Sequence, residues 1–249
     1  MAQPRCPRRR SPRLWVAAFS LLLAAGASPT PGASPAPGTA TVAHTGFGSD
    51  VPLQQYRALR RMHAHSERMS HEGWLDAWTE FDGRGFRYQI VAERGSDTVR
   101  NKVLKALLKR EQELIATGDF GRGELTAENY EFGPETTSDG LRYVTITPRR
   151  RDVMLVDGRM VLDRAGELLR VEGLLARNPS FWTTQVNVVR HYARVDGTRV
   201  PVSTESIARV RFVGLSRLNI SYEYETINHR DVRTAALNAP AGISRVSGR

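Results

Sequence analysis

The sequence predicts a mainly β, α+β fold: a curved antiparallel sheet or half-open β-barrel covered by one or two helices. Three observations predict it. Asp-Gly pairs at Asp82-Gly83, Asp139-Gly140, Asp157-Gly158 and Asp196-Gly197 punctuate β-rich segments, and Asp-Gly suits the tight hairpin turn whose two central residues both need positive φ. The segments between them alternate apolar and polar residues, the period-two pattern of strands with one buried face. About nine or ten such strands accumulate more twist than a flat sheet holds, so the sheet must curl.

The 249-residue chain is 40% apolar and 25% charged, which places it among globular proteins with room for one substantial domain. Its formal charge of +10 overstates how basic the folded part is. Residues 1–27 hold five of the 36 basic residues and no acid, so the remainder sets 31 basic against 26 acidic residues, a charge of +5. Those first residues read as a secretory signal peptide: a basic front, the apolar run LWVAAFSLLLAA from Leu14 to Ala25, and the small exit Ala25-Gly26-Ala27. The run is shorter than the ~20 residues of a spanning helix. The expectation is therefore a cleaved leader and a periplasmic or secreted protein that is not integral to the membrane. Cys6, the only cysteine, precedes the run, so a mature chain has neither a disulfide nor a lipid-anchored cysteine. Residues 28–50, rich in Pro, Gly, Ser, Ala and Thr, bury too little apolar surface to order and read as a flexible linker. The domain is expected at 51–234, with a loose tail at 235–249.

Val51 to Met69 carries Leu53, Tyr56, Leu59 and Met62 at three-residue spacing with Pro52 at its start, so an amphipathic helix is expected there. Gly73 to Phe81 places Leu75, Ala77, Thr79 and Phe81 on one face, and Gly85 to Glu93 does the same with Phe86, Tyr88, Ile90 and Ala92. The Asp82-Gly83 turn makes these two a hairpin. Asp97 to Ala116 is the one strong helix, with Ser96 or Asp97 as N-cap, an apolar stripe from Val99 to Ile115, and Gly118 to end it. Its Lys102, Lys105, Lys109 and Arg110 mix with Glu111 and Glu113 as a solvated back. A short strand follows at Glu128 to Glu135. Beyond it come LRYVTITP, a DVMLV/RMVLD hairpin turning at Asp157-Gly158, ELLRVEGLLAR, TTQVNVVRHYARV and TRVPVSTESIARVRFV about Asp196-Gly197, and SRLNISYEYETI.

Catalytic motifs are absent. There is no Gly-x-Ser-x-Gly, no phosphate loop and no mature cysteine, so acyl and phosphoryl transfer find no support, and no cofactor is expected. His63, His65 and His71 lie close together, but on a helix residues two apart point to different sides, so no metal site is expected. The acid pairs Asp76/Glu80 and Glu223/Glu225 fit ordinary outward-facing strand positions better than glycoside chemistry. Nucleic-acid binding lacks a basic patch interleaved with exposed aromatics. Arg149, Arg150 and Arg151 form a compact cluster that could engage an anionic partner, and stand as partner-binding candidates.

At PRRRDVMLVDGRMVLDRAGELLRVEGLLARNPSFWTTQVNVVRHYARVDGTRVPV the chain resembles bacterial periplasmic proteins of the lipoprotein-carrier type, the LolA-like and RseB-like fold. The likeness lies in Val153 to Gly158, Met160 to Asp163, Leu169 to Gly173 and Val200-Pro201-Val202, and extends over Leu53 to Ile227. It implies a non-enzymatic binding protein that carries or senses a lipid, acyl chain or lipoprotein in an apolar cavity under the helices. Phe86, Tyr88, Ile90, Val153, Leu155, Val186 and Val188 are the candidate lining. The alternative within the same fold is an envelope scaffold or regulatory protein-interaction module whose core is filled.

Overall fold

The computed structural model describes residues 50–68 and 71–232. The leader read at 1–27, the linker at 28–50 apart from Asp50, and the tail at 235–249 lie outside the described residues. The chain opens with an antiparallel meander of β1 (Tyr56–Ser66), β2 (His71–Phe81) and β3 (Phe86–Gly95). A helical run follows: α1 (Asp97–Val99), a π-helical turn (Arg100–Leu104) and α2 (Lys105–Ala116). Gly118, at φ +75°, ends it in the left-handed conformation that glycine adopts without a Cβ clash. A 3₁₀ turn (Asp119–Gly123) then leads into a second meander: β4 (Tyr130–Ser138), β5 (Leu141–Pro148), β6 (Val156–Leu162), β7 (Leu168–Leu175), β8 (Thr183–Val195), β9 (Thr198–Val210) and β10 (Gly214–Ile227), with the two-residue β11 (Arg230–Asp231) beside β10.

All pairings are antiparallel in one sheet of order β3-β2-β1-β10-β9-β8-β7-β6-β5-β4. The sheet is curved and not closed, as the sequence predicted, and β3 and β4 are its edges. The helical run is the crossover between those edges. It lies against β3, β2 and β1 on the inner face, where Val99, Leu104, Leu107, Leu108 and Ile115 pack on Leu75, Ala77, Met62 and Phe86. A second core forms under the far half of the sheet from Tyr130, Ile146, Leu155, Met160, Leu168, Val171 and Tyr192. Among the described residues no helix is long and apolar enough to cross a membrane.

Two sequence expectations are overturned. The segment expected as an N-terminal helix, 51–69, holds strand β1 instead, so of the one or two covering helices expected, one helical run is present among the described residues. Burial along β1 alternates strictly, with Tyr56, Ala58, Arg60, Met62, Ala64 and Ser66 inward. Arg60 in the middle of that inner face hides the period-two pattern, and Leu59 on the outer face supplies a false three-residue one. Asp157-Gly158, expected as a hairpin turn, lies inside β6. Gly158 stands opposite Gly173 of β7, and a Cβ there would fall 2.1 Å from the Glu172 carbonyl oxygen. The pair serves close strand approach. The turn comes at 163–167, where the Asp163 carboxylate accepts from the Ala165 and Glu167 amides and Gly166 takes φ +89°. Asp139-Gly140 (φ 53° and 75°) and Asp196-Gly197 (φ 50° and 80°) are tight turns as expected. Asp82-Gly83 closes the β2–β3 hairpin, its carboxylate accepting from the Arg84 and Gly85 amides.

Candidate functional site

A cavity of about 580 Å³ lies over the middle of β3, β2, β1, β10 and β9. Strand register fixes which face it occupies. Met62, Leu75, Thr204 and Ile220 contribute to its walls yet are at most 2% exposed, because their side chains point inward. Their outward neighbours form two rows across the sheet, Arg94–Trp74–His63–Asn219–Glu205 and, two residues along, Ala92–Asp76–Arg61–Ser221–Ser203. The cavity is therefore a trough on the outer face, floored by backbone and walled by these rows.

One end of the trough is built from stacked groups. The Trp74 indole is layered between the Arg94 guanidinium, 4.5 Å from its ring centre, and the His63 imidazole, 4.8 Å away and nearly parallel. His63 Nε2 is hydrogen-bonded to the Glu72 carboxylate at 2.6 Å, and Arg61 pairs with Glu223. By contrast, the side chains of Asp76, Ser203, Glu205, Asn219 and Ser221 make no hydrogen bond or ion pair with the described residues. These groups give the trough two carboxylates outside any ion pair, an amide and two hydroxyls, beside the guanidiniums of Arg61 and Arg94.

The inner face is built differently. Arg60 and Glu111 are almost wholly buried and form a bidentate pair, its longer arm 3.1 Å, that fastens α2 to β1. Burial works against the Arg60 charge, and the Glu111 carboxylate together with the Tyr222 and Tyr56 phenols more than restores it, holding the guanidinium well above its ordinary range. The guanidinium also lies 4.8 Å from the Tyr222 ring centre and 5.5 Å from that of Phe86. Desolvation pushes the phenols of Tyr56, Tyr222 and Tyr224 up, so all are neutral hydroxyls, and the Tyr224 hydroxyl donates to the Pro201 carbonyl at 2.8 Å. At the far end, Tyr130 accepts the Val156 amide proton, and burial pushes its phenol to about 12. Nearby, burial and then the repulsion of Glu128 push the Glu124 carboxyl up to about 7.

The seven residues expected to line an apolar cavity are separated by the structure. Phe86, Tyr88 and Ile90 pack under the helical run, Val153 against Leu114 and Met154, Leu155 in the far core, and Val186 with Val188 beside Ala208. Arg149 and Arg150 brace the loop before β4: Arg149 donates to the Ala127 carbonyl and the Glu131 carboxylate, and Arg150 to Asn129 and the Arg122 carbonyl. Arg151 is exposed. His63 and His65 share the outer face of β1, contrary to the helical expectation, but among the described residues no three metal-ligating side chains converge. Arg60 was not singled out from the sequence, and Glu111, expected on the solvated back of the helix, is buried against it; of the trough residues, His63 and the outward-facing Asp76 were noted, but Ser203, Glu205, Asn219 and Ser221 were not. The signal for Arg60 was the apolar alternation of Tyr56, Ala58, Met62 and Ala64 on either side of it; Glu111 and the trough depend on long-range packing and strand register and were not readable.

No protein-family model matches the chain, and no curated protein does. Among solved structures it is similar to a LolA superfamily protein from Nitrosomonas europaea, with 11% identity and a TM-score of 0.32 over 70% of this chain and 86% of that one. It is also similar to a DUF1329 family protein from Desulfovibrio piger, with 12% identity and a TM-score of 0.31 over 77% and 88% of the two chains.

Proposed function

We propose that this protein is a non-enzymatic binding module of the cell envelope that engages a protein partner through the outer trough. The observation that carries this reading is the contrast between an inner face crowded with buried aliphatic and aromatic side chains and an open, polar outer one. Asp76 and Glu205, without cations of their own, suit a partner segment that donates hydrogen bonds, such as one bearing lysine or arginine. A photo-crosslinking residue placed at Asn219, inside the trough, is expected to capture one partner in the native envelope. The same residue at exposed Thr137 on edge strand β4 is not. Equal labelling at both positions would overturn the reading, as would the same capture from an Asp76→Lys/Glu205→Lys chain.

A second reading, carriage of an acyl chain on the inner face, draws on the helical run as a removable cover. Lifting it exposes Val99, Leu104, Leu107, Leu108, Leu114 and Ile115, about 1.5–3 kcal/mol each. A 16-carbon chain in their place returns about 12 kcal/mol at roughly 0.8 per CH₂. The exchange is near balance before Arg60 and Glu111 are parted, so that ion pair opposes opening.

A further inference from the structure

We infer that the protein docks on an anionic lipid surface through the aromatic tips of its β7–β8 and β9–β10 connections. Phe181 is 77% exposed and Phe212 78%, far more than any other large apolar side chain among the described residues. Two loops from different parts of the chain present them together. The Arg211 amide donates to the Trp182 carbonyl at 2.8 Å, and Trp182 sits between the two phenyls, 5.5 Å from Phe181 and 5.7 Å from Phe212 between ring centres. Phe212 holds φ +66°, a conformation bulky side chains rarely adopt, so the turn that projects its ring is retained against a local penalty.

Charge selects the occupant. Arg177 shares the first loop, Arg209 and Arg211 flank the second, and Arg68 packs on Gly214 just beyond Phe212. None of these four has an acidic partner among the described residues, whereas most arginines on the strands are paired. The nearby Glu67 is held by Arg217. Arg211 also lies 5.0 Å from the Phe181 ring centre, so cation and phenyl reach outward as one unit. Exposed aromatics ringed by unneutralised guanidiniums match a bilayer interface, which offers hydrocarbon to the rings and phosphates to the cations.

The test compares the full chain with its Phe181→Ser/Phe212→Ser and Arg209→Gln/Arg211→Gln variants, which share whatever the leader contributes. Flotation uses phosphatidylglycerol/phosphatidylcholine vesicles and phosphatidylcholine vesicles. Anionic vesicles are expected to bind the wild type, with about a tenfold loss per phenyl removed, as burial of such a ring implies. The arginine variant is expected to lose several-fold and most of its salt dependence. Brominated lipid is expected to quench Trp182, read as the difference from a Trp182→Phe chain. Equal partition of wild type and phenyl variant would overturn the inference, as would equal binding to neutral and anionic vesicles, or capture of a soluble protein by these tips without vesicle binding. Because the trough lies elsewhere, crosslinking at Asn219 reports separately on the proposed module function.

Discussion

The two faces of β1 and β2 treat charge in opposite ways. Inward, one arginine meets one acid in a shell of aromatic and aliphatic groups; outward, Arg57 shares Glu80 and Glu225, Arg61 holds Glu223, and both sit in water. The same strands therefore carry one ion pair that has no alternative to its partner and several that do. Water decides the difference: an exposed pair contributes about 0–1 kcal/mol, while removing one member of a buried pair costs about 3–5 kcal/mol.

That comparison can be broken most decisively at Arg60. Arg60→Leu is expected to lower unfolding stability by about 3–5 kcal/mol in a urea titration, because Glu111 is left buried and alone. Arg60→Leu/Glu111→Leu is expected to recover much of the loss, and simple additivity of the two single changes would show that the pair is not coupled.

Glu124 sharpens the contrast with a carboxyl that is buried without a cation. It keeps its proton in the native state between its ordinary value of 4.5 and about 7. Its contribution to stability is thus full below pH 4.5 and lost as pH rises through 7. Glu124→Gln is expected to stabilise the protein at pH 8 by up to about 3 kcal/mol and to change nothing at pH 4, measured as urea midpoints at the two pH values. Next in size, Gly158→Ala is expected to cost about 1–3 kcal/mol through overlap with the β7 backbone, seen as a lowered Tm. The smallest effect falls on the outer lattice, where Glu223→Gln is expected to change stability by under about 1 kcal/mol and less still at high salt.

Much of the architecture was legible because it rests on local chemistry. Asp139-Gly140 and Asp196-Gly197 tolerate the positive φ of a tight turn at little cost and sit between strand-like segments, and Leu75 through Phe81 alternates plainly. What failed did so through long-range partners. Arg60 reads as a surface residue until Glu111, 51 residues away, is brought beside it. Asp157-Gly158 reads as a turn until Gly173 is seen to need its missing side chain. The trough was invisible for the same reason, since Asp76, Asn219 and Glu205 meet only once β2, β1, β10 and β9 are in register. Phe181 and Phe212 were readable as apolar residues in loops, but their joint exposure was not.

The mass of the folded protein, extracted gently from its source cells and measured under native conditions, tests the packed inner face most directly. The expected mass is that of the chain alone, unchanged when acyl ligands are added. A mass raised by one or more acyl chains, lost again when the helical run is crosslinked to β1, would contradict it.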